Sequence, residues 1–267
     1  MKRLKLFNLG FLATLLMVST GYAIARSGEV EEEFHQTYAL SSGGSVSVNN
    51  VNGDLKIVVW DKKDVKVDAV KYADDEETLS HLKIVVDAGN DLVDIDTIYP
   101  KNGDNRGGNG ARVDYIITVP KDANLKRIKT VNGEIEISDV AGNVQANTVN
   151  GTIHASSLKG DCELRTVNGN IDAGFGSVKS GAEITLNTVN GSLAISLPDK
   201  VSARVKASAN TGRITNDFGL TSSRDHSEHS FVKVGDSIDG AIGNGDATIR
   251  IGTVNGSIQI TKSGTDK

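Results

Sequence analysis

Several things are scarce in this sequence, and each scarcity excludes something. There is a single cysteine, Cys162, so no internal disulfide can form. One thiol is safe in an oxidising compartment mainly when buried, and Cys162 falls at an inward position of the repeat described below. Aromatic residues make up 4% of the chain, and 29 Lys+Arg stand against 34 Asp+Glu. An acidic chain with few stacking side chains lacks the footprint of a nucleic-acid binder, so no nucleic-acid partner is expected. No Gly-x-Ser-x-Gly elbow, phosphate-binding loop or Cys/His dyad occurs. Long hydrophobic runs are missing too: Leu9 to Val18 is too short to span a bilayer comfortably.

That run has another reading. Lys2, Arg3 and Lys5 precede it and Ala23-Ile24-Ala25 supplies a small-x-small site, so residues 1–25 read as a secretory signal peptide. No cysteine follows the apolar run, which argues against lipid attachment. Without residues 1–25 the balance is 26 Lys+Arg against 34 Asp+Glu, a net charge of −8. The mature protein is expected to be exported, in the periplasm or at the cell surface, with no membrane span after cleavage. Residues 26–33, with Glu29, Glu31, Glu32 and Glu33, form a polar leader, and residues 262–267 a polar tail.

From 34 to 120 the pattern has period two, the mark of half-buried strands. Asn52-Gly53 and Asp61-Lys62-Lys63-Asp64 supply turns. Asp74-Asp75-Glu76-Glu77 before Leu79 and Leu82 predicts a short helix near 75–82. Strands are expected at Lys83–Asp87, Leu92–Tyr99 and Arg112–Val119, with a glycine-rich loop over 102–110 between the last two. This region reads as an N-terminal β-rich cap.

The rest is organised by one phrase. Thr130-Val131-Asn132-Gly133, Thr148-Val149-Asn150-Gly151 and Thr166-Val167-Asn168-Gly169 recur every 18 residues, and glycine falls every nine between 133 and 169. Thr188-Val189-Asn190-Gly191 follows after 22 residues, and Thr253-Val254-Asn255-Gly256 closes the array. Each unit reads Gly-x-apolar-x-apolar-x-x-apolar-x, as in Ile153, Ala155 and Leu158, or Val144, Ala146 and Val149. Positions three, five and eight are expected to point inward. Two units then close a coil with a strand on each of two walls. Asn-Gly suits the corner because both residues tolerate positive φ. It also suits a two-residue hairpin, but strict recurrence with an intervening unit lacking Asn-Gly favours coils. The fold expected over 121–261 is an all-β β-solenoid of about 18–22 residues per coil.

These pieces resemble a bacterial β-strand-repeat family of candidate-adhesin domains of unknown function. The resemblance rests on Val51-Asn52-Gly53-Asp54-Leu55-Lys56-Ile57 before Trp60-Asp61, on Ile117-Thr118-Val119-Pro120, on the Thr-Val-Asn-Gly series and on Asp217-Phe218-Gly219-Leu220. It covers roughly Thr37 to Thr261. What it implies is an exported β-solenoid without an established catalytic site.

Other motifs lead nowhere. Calcium-binding nonapeptide repeats share the period, but no Asp recurs in register to ligate the ion. Asp225-His226-Ser227-Glu228-His229 has metal-ligating types, yet no third well-spaced ligand or rigid element. Ser156-Ser157-Leu158-Lys159 matches Ser-x-x-Lys without its companion motifs. His35 and His81 are isolated, and the outward Glu134, Glu136, Gln145, His154, Glu163 and Asp172 form no evident constellation. No catalytic residue, metal or cofactor is therefore expected. The repeated Thr130, Thr148, Thr166, Thr188 and Thr253 are expected to form a surface ladder beside Asn132, Asn150, Asn168, Asn190 and Asn255, available to an envelope or extracellular protein or glycan. The alternatives are a carbohydrate-active β-helix enzyme using a carboxylate pair, or a periplasmic component of envelope-stress signalling.

Overall fold

The structure is a computed structural model that describes residues 28–100, 110–221, 223–224 and 235–264. The expected signal peptide, nearly all of the 102–110 loop and the Asp225–His229 motif lie outside the described residues.

The described chain is all-β apart from one short helix. It runs β1 (Val30–Ala39), β2 (Ser45–Asn49), β3 (Leu55–Trp60), β4 (Asp64–Ala73), α1 (Glu76–His81), β5 (Lys83–Ala88), β6 (Leu92–Ile98) and β7 (Arg112–Pro120). The repeat region supplies β8 (Asn124–Lys129), β9 (Ile135–Ser138), β10 (Val144–Asn147), β11 (Ile153–Leu158), β12 (Cys162–Arg165), β13 (Ile171–Phe175), β14 (Glu183–Asn190) and β15 (Leu193–Pro198). It ends with β16 (Ala203–Ala209), β17 (Ile214–Asn216), β18 (Ser223–Arg224), β19 (Asp236–Ile242), β20 (Ala247–Asn255) and β21 (Ile258–Ser263). The helix lies where acidic residues precede Leu79, and Asp75 caps it by accepting the Thr78 N–H at 2.7 Å.

These strands build two large mixed sheets. The first wall has ten strands in the order β1-β4-β7-β3-β9-β11-β13-β15-β21-β17. The second has eleven, ordered β18-β19-β16-β20-β14-β12-β10-β8-β2-β6-β5. From β8 to β15 the chain switches wall at every strand and pairs in parallel with the strand one repeat away. Ile135, Ile153, Ile171, Leu193 and Ile258 therefore stack on the first wall, facing Val144, Cys162, Ile184 and Ile249 on the second. All are buried in one core cluster, each aliphatic side chain contributing about 1.5–3 kcal/mol. The strands of 34–120 share both sheets and this core: β3 pairs with β9, and β2 with β8.

Two expectations fail in instructive ways. The eighth position points inward only where a non-glycine residue with positive φ turns the corner. At Asp139 (φ 62) and Ser157 (φ 56) the chain swings so that Val140 and Leu158 enter the core. At the Thr-Val-Asn-Gly corner the seventh residue enters instead, and Val167, Val189 and Val254 are about 40% exposed. The last Thr-Val-Asn-Gly copy does not close the array either. β20 and β21 slot between the β14–β15 layer and the later-placed β16–β17 layer, so 203–216 lies outside the chain that follows it. A parallel strand needs only matching apolar register, so chain order does not oblige spatial order.

Candidate functional site

The repeat edge is the first candidate, and the structure reassigns its residues. Thr130, Thr148, Thr166, Thr188 and Thr253 are buried, Thr148 to 4%, so they form no surface ladder. Each hydroxyl instead donates to the carbonyl of the glycine one rung away: Thr148 to Gly133 at 3.1 Å, Thr166 to Gly151 at 3.0 Å, Thr188 to Gly169 at 2.9 Å. Thr130 does the same to Gly53, and Thr253 to Gly191. A short β-branched side chain with a hydroxyl fills the corner and satisfies a carbonyl that would otherwise be buried without a partner. The reason for glycine also differs from the expectation. Gly133, Gly151, Gly169, Gly191 and Gly256 have no positive φ. A Cβ on any of them would lie 1.9–2.0 Å from the previous rung's glycine oxygen, so close stacking of backbones demands glycine.

The Asn ladder is present. Asn132 Nδ2 donates to Asn52 Oδ1, Asn150 to Asn132, Asn168 to Asn150 and Asn190 to Asn168, each at 2.8 Å, and Asn255 to Asn190 at 2.7 Å. Its first rung is Asn50-Val51-Asn52-Gly53, whose Asn52-Gly53 turn belongs to the ladder and does not stand alone. Buried Asn50 takes the threonine slot and donates to Val113 O at 2.8 Å. The shared Val-Asn-Gly was the available signal, masked by the 80 residues separating this rung from the next. What the edge exposes is thus a stripe of valines beside an amide ladder whose hydrogen-bonding groups face one another.

The second candidate is the outer face of the first wall. Register places Lys56, Glu136, His154 and Asp172 in one row across β3, β9, β11 and β13. Lys56 Nζ lies 2.7 Å from Glu136; His154 reaches Glu134 through Nε2 at 3.2 Å and Asp172 through Nδ1 at 3.0 Å. Outward residues that formed no evident constellation in the sequence are therefore brought together here. Gln145 and Glu163 sit on the other wall, where Gln145 donates to Glu163 at 3.0 Å. The acidic row overlooks an open groove of about 500 Å³ with small residues, among them Ser156, Gly174, Ala194 and Ser196, along it. The histidine and both its carboxylates are about half exposed. Such a surface can exchange hydrogen bonds with hydroxyls or cations, but it does not exclude water from a reacting bond.

Two further sequence readings find their place. Cys162 is buried, and burial pushes its thiol far above the usual range, where the nucleophilic thiolate is not formed. His35, read as isolated, bonds Asp68 at 2.8 Å and Glu33 at 3.1 Å, and these bonds raise its pKa.

Comparison with known proteins gives the fold a context. The profile of the Toastrack DUF4097 family matches residues 38–261. No curated protein matches the sequence. A solved structure of a candidate cell adhesion protein from Clostridium sporogenes is similar over 88% of this chain and 100% of its own, at 13% identity and a TM-score of 0.51. A candidate adhesin from Bacteroides fragilis covers 86% of this chain and 97% of its own at 10% identity and a TM-score of 0.40. At such identities the likeness is one of fold alone.

Proposed function

The chain belongs to the Toastrack DUF4097 family, and we propose that within it this protein is an exported, non-enzymatic binding or scaffold protein of the cell envelope, an adhesin in the broad sense. Its central layers are read as β-solenoid coils that hold two flat walls at fixed spacing. The observation that carries this reading is the state of the wall side chains: Glu136 is paired with Lys56, and His154 with Glu134 and Asp172, on an open face. That is the geometry of a rigid recognition surface for a protein or glycan. No described helix is long and apolar enough to cross a membrane. The adhesive naming of the Clostridium sporogenes neighbour points the same way.

One observation favours a second reading. Glu134 and Asp172 flank His154 along a groove, and a carboxylate pair on a β-helix wall is the equipment of a carbohydrate-active enzyme. A single experiment separates the two. The mature protein is probed against envelope fractions and a glycan array, and in parallel incubated with cell-wall polysaccharides. Saturable binding that is lost in Asp172→Lys, with no new reducing ends released, supports the binding protein. Release of reducing ends that disappears in Glu134→Gln supports the enzyme and ends the first reading.

A further inference from the structure

Six Val-Asn-Gly phrases stack at the repeat edge, at Asn52, Asn132, Asn150, Asn168, Asn190 and Asn255. In an Asn-Gly pair the glycine nitrogen has no Cβ beside it and can attack the preceding side-chain amide carbon. In sequence these six pairs are near-equivalents, and the fold makes one of them different. Gly53, Gly133, Gly151, Gly169 and Gly191 each donate their N–H to the asparagine carbonyl of the next rung, at 2.9–3.1 Å. Beyond Gly256 the next rung is Thr211-Gly212, and no described residue accepts the Gly256 N–H. The side chains divide the same way. The Oδ1 atoms of the first five asparagines each accept an amide N–H at 2.7–2.8 Å, whereas Asn255 Oδ1 receives only the Thr211 hydroxyl, at 3.4 Å.

We propose that Asn255-Gly256 is the rung at which this ladder deamidates. The Gly256 nitrogen gives its proton to solvent as it bonds to Asn255 Cγ, and the Cγ–Nδ2 bond breaks with the amide leaving as ammonia. Water then opens the five-membered imide at either carbonyl, leaving aspartate or isoaspartate at 255. One water is consumed and one ammonia released, with no redox change. In the other five rungs the attacking nitrogen and the amide oxygen are both held in the stack, so reaction waits on local opening. At Asn255 the side chain is held closely at one end, through Nδ2 to Asn190, and at the other only by the 3.4 Å contact from the Thr211 hydroxyl. Conversion there exchanges that donor for a carboxylate oxygen facing Asn190 Oδ1, at the junction between the inner layers and the two layers formed by 203–216 and 247–260. The modification therefore acts on how the end of the molecule is fastened.

The test is site-resolved peptide mapping of the mature protein aged at mildly alkaline pH, native and in urea. In the native protein, acid and isoaspartyl forms are expected at Asn255 at least about tenfold faster than at Asn132, Asn150, Asn168 or Asn190, the factor that loss of about 1.4 kcal/mol of hydrogen bonding gives. In urea the ladder sites are expected to converge, which assigns the difference to the fold. Asn255→Asp is expected to speed limited proteolysis between 203 and 216 without unfolding the inner layers. Equal native rates along the ladder, an inner rung converting first, or an Asn255 that converts in urea and not in the native protein would each overturn the proposal.

Discussion

Within one Thr-Val-Asn-Gly phrase, four residues do four different jobs, and neighbours differ sharply in what they tolerate. Thr148→Val keeps the shape but leaves the Gly133 carbonyl without its donor, so it should cost about 1–3 kcal/mol in urea denaturation. Val167→Asp, at an exposed position, should stay within about 0.5 kcal/mol of wild type. The opposite ranking would mean that the inward and outward sides of the corner are exchanged. Glycines separate as cleanly. A Cβ at Gly151 would sit 1.9 Å from the Gly133 oxygen, a backbone atom that cannot swing aside. Gly151→Ala should therefore cost about 3 kcal/mol or more by forcing rungs apart. Gly176→Ala, whose nearest neighbour would be 3.7 Å away, should be close to neutral in the same measurement. The periodicity of these glycines is plain in the sequence. Their reason is not, because a single strand does not show which backbone will lie above it.

Among elements, the outermost strand of the first wall depends most on charge. β1 is tied down by His35 to Asp68, Lys71 to Glu32 and Arg112 to Glu29. The hydrogen bond that His35 donates to Asp68, then that to Glu33, raises the His35 pKa. On Asp68 burial pushes upward, but the bonds from Lys66 and His35 outweigh it and hold the carboxyl low. A histidine whose pKa is raised by folding binds its proton more tightly when folded. Its stabilisation is complete below the ordinary histidine range and disappears as pH rises through the raised value. Proteolytic cutting of β1 should therefore increase as pH rises through and just above that range. Because the pair is nearly half exposed, the effect should stay under about 1 kcal/mol and shrink in salt. His35→Gln should flatten the dependence, and an unchanged slope would remove His35 as its source.

On the scale of the whole molecule, the chain's last layer is not its end layer. Because β20 and β21 lie between β14–β15 and β16–β17, deleting residues 247–267 takes a slab from inside the stack. The expected result is release of 203–216 as well, seen as fast proteolysis there together with a large loss of denaturant resistance. Stacked layers are stabilised by their neighbours, so losing an inner one exposes two faces instead of one. A deletion leaving 203–216 protected would contradict this arrangement.

The all-β class, the 18-residue step and the short helix were legible from the residues, because each depends on local periodicity or capping, which one stretch of chain carries alone. The sequence also marked the threonines, asparagines and glycines of the five Thr-Val-Asn-Gly copies at the repeat edge, since recurrence needs no partner to be seen. That threonine enters the core while valine stays out emerged from the fold alone, for the corner conformation shifts the inward position by one residue. Only the fold joined Asn52 to Asn132, gathered Glu134, His154 and Asp172 on one wall, and placed the final pair of strands inside the stack. Each of those is a choice between strands distant in sequence. That choice is set by packing and backbone hydrogen bonds between layers, which no single strand encodes.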